Sequence, residues 1–233
     1  MSFWAIFKKR FTKKKPKRRL PLHIKEILET IPPKLNIGIK TPRFVVFDTE
    51  TTGLKKEAEL VAIGALGITK GRVVLSDMFY ELIQPRAEIP APSIFVHGIT
   101  PSMVEDRPKA DEILIKFIEY CGQDILVGYQ AGFDLMFINK EMENYFGIRL
   151  PNITLDVLKL FLFIKKPYDN YSLEPQNHDL SLDAVAKELG VPLFDRHSVI
   201  GDVLGTAMLF QKLLTEAEDK NMTLKDLVKI AKV

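Results

Sequence analysis

Two acidic residues, Asp48 and Glu50, follow directly on an apolar run, Phe44–Phe47. Four consecutive apolar residues are typical of a buried strand. Because side chains alternate along a strand, Asp48 and Glu50 project from the same face. Two carboxylates held that close repel each other, and a bound divalent cation would explain why both are kept. Hard cations such as Mg²⁺ take oxygen ligands and leave room for phosphate, so the pattern predicts a divalent-metal site.

Four other residues have the right chemistry for such a site, but each has a structural explanation when taken alone. Asp134 follows a predicted strand at 125–129 and opens a helix, where an acid caps the helix and favours its positive end. Asp156 opens another predicted helix, and the cap interpretation is kept for it. Asp202 lies on a helix with a clear apolar stripe, which favours a solvated face for the acid. His197 alone is a weaker signal still.

Three separated blocks combine these residues in one order. They read Phe47-Asp48-Thr49-Glu50-Thr51-Thr52-Gly53-Leu54, Val127-Gly128-Tyr129-Gln130-Ala131-Gly132-Phe133-Asp134 and His197-Ser198-Val199-Ile200-Gly201-Asp202. Together they resemble the DEDD superfamily of 3′→5′ exonucleases, in its histidine-bearing branch. That branch includes the proofreading epsilon subunit of bacterial DNA polymerase III, ribonuclease T and oligoribonuclease.

The resemblance covers about residues 42–216 and includes two flanking segments, 96–100 and 180–186. It departs from the family pattern at two places. The second motif commonly has His-Asn where this chain has Tyr129-Gln130. The third commonly has alanine two residues after the histidine, where this chain has Val199. Neither change removes a ligand or the base, so they bear on substrate fit and turnover.

The resemblance implies an α/β, ribonuclease-H-like fold, with a mixed five-stranded sheet flanked by helices. It implies a metal-dependent 3′→5′ exonuclease that acts on 3′ ends of single-stranded or frayed nucleic acid, with DNA favoured. Two Mg²⁺ or Mn²⁺ ions would be held by four carboxylates, and the product would be a nucleoside 5′-monophosphate. The metal ligands would be Asp48, Glu50, Asp134 and Asp202. His197 would be the general base, placed before the first turn of its helix.

The resemblance also implies which residues hold the terminal nucleotide. Thr51 and the backbone near Thr52 and Gly53 would line it, and Leu54 would wedge against its base. His97 would reach the sugar or phosphate. Phe133, beside the acid of the second block, belongs to the same predicted group. For Leu54 the alternative of a plain core leucine remains open.

The charge is unevenly distributed. The chain has 33 basic and 30 acidic residues, a net charge of +3, but residues 1–19 hold nine Lys or Arg and no acid. Removing those nine leaves 24 basic against 30 acidic residues, a net charge of −6, so the basic character belongs to the N-terminal segment. We predict a disordered arm that binds nucleic acid. The alternatives are an anchor to an anionic membrane surface and an inert extension.

Other features limit the class of protein. Cys121 is the only cysteine, which excludes an intramolecular disulfide and favours a reducing, cytoplasmic setting. No apolar run approaches the ~20 residues of a membrane span. Two other functions stay open beside the exonuclease. One is a catalytically idle module recruited to nucleic acid or a membrane, and the other is an accessory scaffold in a polymerase or replication and repair complex.

Local patterns predict the elements that position these residues. Strands are expected at 43–49, 60–69, 72–83 and 125–129, with a hairpin turn at Lys70-Gly71. A proline-rich loop is expected around residues 90–101 and a polar loop at 165–179. Helices are expected at 22–30, 109–121, 133–146, 154–164, 181–189, after His197, and at 223–231. The domains predicted are an arm at 1–19, a linker with a short helix at 20–41, the exonuclease domain at 42–216 and a C-terminal helix at 217–233.

Overall fold

The computed structural model describes residues 16–29, 35–165 and 179–233. Five strands form one mixed sheet, as the resemblance implied, and their order is β3-β2-β1-β4-β5. The strands are β1 (Phe44–Thr51), β2 (Leu60–Thr69), β3 (Arg72–Leu82), β4 (Ile125–Gly128) and β5 (Thr154–Asp156). The helices among these residues are α1 (Leu22–Glu29), α2 (Ala91–His97), α3 (Pro101–Val104), α4 (Ala110–Cys121), α5 (Gly132–Phe146), α6 (Val157–Lys165), α7 (Leu182–Leu189), α8 (Val199–Asp219) and α9 (Leu224–Ala231).

The central strand is β1, which is antiparallel to β2 and parallel to β4. The hairpin between β2 and β3 turns at Lys70 and Gly71, whose φ angles are 52° and 71°. Two consecutive positive φ angles suit the right-handed twist of the paired strands, so the predicted hairpin is confirmed. The carboxyl ends of β1 and β4 lie at the same edge of the sheet, because the two strands are parallel.

Helices cover both faces of the sheet. Phe44 and Val46 face a layer built from α6, α7, α8 and α9, and the Phe44 ring lies 5.0 Å from that of Phe210 on α8. Val45 and Phe47 face α1, α4 and α5 instead. The alternation that buries these four residues on two faces therefore continues into Asp48 and Glu50, which share the face of Phe44 and Val46.

Several predicted elements need correction. The proline-rich stretch expected as a loop contains α2 and α3, because proline in a first helical turn lacks only an N–H that has no partner there. The helix expected from residue 154 begins at Val157, because Thr154–Asp156 pair with β4 as the fifth strand. Three residues are too few for a strand pattern to stand out in the sequence.

The first and last helices of the described residues pack on the sheet layers. Ile24 and Leu28 of α1 are buried in the same core as α4, so the short helix predicted in the linker belongs to the packed structure. The C-terminal helix α9 buries Leu224 and Leu227 against the layer that contains α6. The domain boundaries themselves stay predictions. Most of the predicted arm and of the polar loop at 165–179 lies outside the described residues.

Among the helices of the described residues, none is both long and apolar enough to cross a membrane.

Candidate active site

Asp48 and Glu50 lie at the carboxyl end of β1, on the face covered by α8. Their partners on β2 are Gly64 and Ala62, the two smallest residues available. A Cβ atom added to Gly64 would lie 2.9 Å from Cγ2 of Val199, in the first turn of α8. The helix therefore approaches the sheet very closely beside Asp48, and it brings its own N-terminal residues to the acidic pair.

The acids of this cluster raise one another's pKa. Burial raises the pKa of Asp48 well above its usual range, and the charges of Asp134 and Glu50 add to the effect. Burial likewise raises the pKa of Glu50 to about 8, with Asp134 as the second cause. Groups that perturb each other this strongly lie close together, and such clusters are enriched at functional sites.

Asp134 lies in the first turn of α5 and is 4% exposed. Its Oδ1 accepts hydrogen bonds from the backbone N–H of Thr49, at 3.0 Å, and from Thr49 Oγ1, at 2.6 Å. Burial raises the pKa of Asp134 to about 6, although the Thr49 hydrogen bonds oppose that shift. Asp134 does lie at the helix N-terminus, but the prediction of a cap is wrong, because the N-cap residue is Ala131 and the Asp134 side chain joins α5 to β1 instead.

Asp202 lies in the first turn of α8, after the N-cap residue Ser198, whose Oγ accepts the N–H of Gly201 at 3.0 Å. A Cβ atom on Gly201 would lie 2.1 Å from the carbonyl oxygen of Asp195. Only glycine fits there, because the loop before the helix folds back onto its first turn. The Asp202 side chain is mostly buried and does not lie on a solvated face.

Arg196 is a site residue that the sequence did not predict. Its Nε and Nη2 donate to the two carboxylate oxygens of Asp183, at 3.0 and 2.9 Å, and its Nη1 contacts Oδ1 of Asp202. Its charge also opposes the raised pKa of both Asp48 and Glu50. A single arginine in a loop gives no pattern that could have shown this role.

His197 precedes the N-cap of α8, in the loop position predicted for it, with a φ of 66°. Its side chain is exposed in this structure. The pKa of Asp183 is lowered mainly by its hydrogen bonds from Arg196, and His197 also contributes. The imidazole therefore lies near Asp183, and its predicted action on a water among the acids stays a prediction.

The predicted nucleotide-binding residues lie in a closed loop after β1. Thr52 N–H donates to the carbonyl of Glu59 at 2.9 Å, and Glu59 N–H donates to Thr52 Oγ1 at 3.0 Å. Thr51 Oγ1 donates to the carbonyl of Gly53 at 2.6 Å. Leu54 is 82% exposed at the tip, so the alternative of a core leucine is excluded.

Two further residues of this group flank the loop. His97 at the end of α2 accepts the backbone N–H of Ile99 on Nδ1 at 3.0 Å. Burial lowers the pKa of His97, and the backbone of Thr51 opposes this shift, so the ring lies beside the loop. Phe133 is partly exposed, and its ring packs edge-on against Phe137 at 5.0 Å.

Lys140 of α5 stabilises the loop after β1 through hydrogen bonds. Its Nζ donates to the carbonyl oxygens of Lys56 and Glu57, at 3.0 and 3.1 Å, and also to that of Ala58. The same helix carries Asp134, so one rigid element positions both an acid of the site and the loop with Leu54. Sequence reasoning had no signal for this residue.

The donor set fits divalent cations. Asp48 and Glu50 on β1 and Asp134 on α5 each have a raised pKa, Arg196 links Asp202 on α8 to this group, and the buried Oδ1 of Asp202 has no hydrogen-bond partner. As the side chains stand, no three His, Cys, Asp or Glu residues within the described ranges converge tightly enough to enclose an ion.

Comparison with known proteins agrees with this arrangement. The RNase_T family model, described as an exonuclease, matches residues 45–210. The chain is 35% identical over 182 residues to a DNA polymerase III subunit epsilon-like protein of Rhodobacter capsulatus, across 77% of this chain and 25% of that protein. It is 33% identical over 180 residues to the PolC-type DNA polymerase III of Clostridium perfringens, across 75% of this chain and 12% of that protein. The chain thus matches a quarter or less of the length of these relatives.

Solved structures share the fold. Exonuclease X in complex with 5′-overhanging duplex DNA superposes with a TM-score of 0.60 at 21% identity, across 80% of this chain and 98% of that chain. Exonuclease I of E. coli in complex with a dT13 oligonucleotide superposes with a TM-score of 0.62 at 16% identity, across 77% of this chain and 42% of that chain.

Proposed function

We propose, from the premise that this chain belongs to the RNase_T exonuclease family, that it removes nucleotides one at a time from the 3′ end of DNA. The bond broken would join the phosphorus to the 3′ oxygen of the preceding nucleotide. A nucleoside 5′-monophosphate would leave, and a new 3′ hydroxyl would remain on the strand.

The observation that supports this activity best is the crowding of Asp48, Glu50 and Asp134. All three have a raised pKa because of burial, and charge from the neighbouring acids adds to the shift for Asp48 and Glu50. Buried carboxylates that repel one another weaken a fold unless they have a partner. A structural role alone does not account for three acids at one edge of the sheet.

The residues of the chain would divide the work as follows. Asp48, Glu50, Asp134 and Asp202 would hold two divalent ions, which supply an activated water and offset charge on the departing oxygen. His197 would accept the proton of the attacking water, since an imidazole titrates near neutral pH. For this the exposed ring would turn from Asp183 toward the acids, a movement that its place in a loop permits.

The loop after β1 would hold the terminal nucleotide. Leu54, exposed at the tip, would pack against the last base, while Thr51 and the backbone of Thr52 and Gly53 line the sugar and phosphate. His97 would donate to the sugar or phosphate, and Phe133 would contact the base from the side of α5. Contacts of this kind read no base edge, so little sequence preference is expected.

DNA is the favoured substrate because the relatives are named as DNA polymerase III proteins and two structural neighbours hold DNA. The same relatives support a place in a replication or repair complex with a polymerase. The basic segment at 1–19 adds positive charge that could retain a nucleic-acid strand.

The test uses matched DNA and RNA oligonucleotides with free or blocked 3′ ends, incubated with Mn²⁺. We expect mononucleotides from the free 3′ end of DNA and none when that end is blocked. Asp48→Asn removes the carboxylate charge and keeps the shape of the side chain, so it should abolish the release of mononucleotides. Asp219→Asn is the control, because this exposed acid lies on α8 with Asp202 but 17 residues further on, about 25 Å along the helix. Persistent release by purified Asp48→Asn protein would refute the proposal.

A further inference from the structure

Arg196 joins two helices through two different acids. It forms a bidentate pair with Asp183 on α7 and contacts Asp202 on α8. The guanidinium is 21% exposed and Asp202 is 17% exposed, whereas Asp183 is 57% exposed. The arginine thus has one partner near solvent and one partner inside the acidic cluster.

The loop that carries Arg196 has an unusual backbone on both sides of it. Asp195 has a φ of 48° and His197 a φ of 66°, both in the left-handed region. Such residues each cost on the order of 1 kcal/mol and persist only where other contacts hold them. Here the ion pairs of Arg196 hold the loop together with hydrogen bonds from the N–H and Oγ of Ser198 to the carbonyl of Asp195, at 3.2 and 2.8 Å.

Arg196 also acts as a counter-ion for Asp48 and Glu50. Its charge opposes the raised pKa of Asp48 and Glu50, so it compensates part of the repulsion among the acids. This ion pair joins Nη1 of Arg196 to Oδ1 of Asp202, two buried atoms that make no hydrogen bond. A cation that took this oxygen as a ligand would have to move the guanidinium away first.

We propose that Arg196 is a latch, an internal cation that stabilises the metal-free site and must leave Asp202 before divalent metal binds fully. This inference rests on the proposed function, because it assumes that Asp202 is a metal ligand. Asp183 would retain the displaced guanidinium at the rim of the site. Because His197 is the next residue, release of the loop would also free the imidazole to turn toward the acids.

The test measures Mn²⁺ binding alone, by titration calorimetry at low ionic strength, with no nucleic acid. Arg196→Gln removes the competing charge, so its affinity for Mn²⁺ should rise at least about tenfold over wild type. Arg196→Lys keeps the charge but loses the bidentate hydrogen bonds to Asp183, so a smaller gain in Mn²⁺ affinity is expected. The Lys variant also preserves the test if the Gln variant does not fold.

The matched control is Arg149→Gln, which makes the same change of charge in an ion pair with Glu143 at the far end of α5. Its Mn²⁺ affinity should equal that of wild type, and a gain like that of Arg196→Gln would overturn the latch in favour of long-range charge. Equal or weaker binding by both Arg196 variants would overturn the latch and leave the exonuclease proposal intact. Absence of binding in wild type and variants alike would overturn the metal site itself.

Discussion

The raised pKa of Glu50 makes the stability of the metal-free protein depend on pH. Burial first, and the charge of Asp134 second, raise the pKa of Glu50 from its ordinary 4.5 to about 8. Between those two values the folded protein binds more protons at Glu50 than the unfolded chain does. The free energy of unfolding therefore decreases as the pH rises from about 4.5 to about 8, and levels off above that.

The magnitude follows from the size of the shift. At about 1.36 kcal/mol per pKa unit, an isolated shift of this size corresponds to about 4–5 kcal/mol. Glu50 is partly exposed and shares its titration with Asp134, so we expect about 2–4 kcal/mol between pH 5 and pH 8.5. In a chain of this length that lowers the melting temperature by about 5–15 °C.

The assay is thermal or urea unfolding in EDTA at pH 5 and pH 8.5, for wild type and for Glu50→Gln. The amide cannot ionise, so the variant should lose the Glu50 contribution of about 2–4 kcal/mol, keep the contributions of Asp48 and Asp134, and be more stable than wild type at pH 8.5. The control Glu88→Gln changes an exposed glutamate and should behave as wild type does. Excess Mn²⁺, at about 100 times its dissociation constant, should raise the free energy of unfolding of wild type at pH 8.5 by about 2.7 kcal/mol. The reasoning fails if metal-free wild type is equally stable at both pH values, or if Glu50→Gln declines as steeply.

Three further predictions concern single residues. His197→Ala should lower turnover by about 10²–10⁴ and leave Mn²⁺ affinity unchanged in calorimetry; a collapse of affinity would contradict its role as base. Lys140→Met releases three backbone carbonyls of the loop with Leu54, so KM for DNA should rise about tenfold with kcat nearly constant, and Lys140→Arg should recover part of the loss. The opposite pattern, a lower kcat at constant KM, would exclude this positioning role. Gly64→Ala should reduce the free energy of unfolding by about 1–3 kcal/mol, because its Cβ would lie 2.9 Å from Val199; adding Val199→Ala should restore stability, and simple additivity of the two changes would refute the contact.

Local sequence patterns predicted most of the sheet. Phe44–Phe47 form a buried strand because four apolar side chains fill both helix-covered faces. The hairpin at Lys70 and Gly71 followed from turn chemistry, and Gly190 ends α7 with a left-handed φ of 64°, as glycine commonly does. These features depend on neighbours in the sequence, so the sequence alone contains the information.

The elements that the sequence did not predict depend on tertiary contacts. Thr154–Asp156 form a strand only because β4 offers an unpaired edge, and the prolines of α2 and α3 obscured two short helices. The five residues of the acidic motifs were found through resemblance to a family, since each alone had a simpler structural explanation. The structure places Asp48, Glu50 and Asp134 within electrostatic reach of one another and Asp202 against Arg196, whereas the side chain of His197 is exposed.

Val199 shows why a departure from a family motif needs the structure to interpret it. The sequence raised the concern that valine in place of alanine would disturb the site. In the fold the methyl groups of Val199 fill the space above Gly64, which is the β2 residue that pairs with Asp48. The larger side chain of Val199 on α8 therefore fits because Gly64 on β2, 135 positions earlier in the chain, has no side chain. The helix keeps its close approach to the sheet beside Asp48, because the two positions compensate each other in volume.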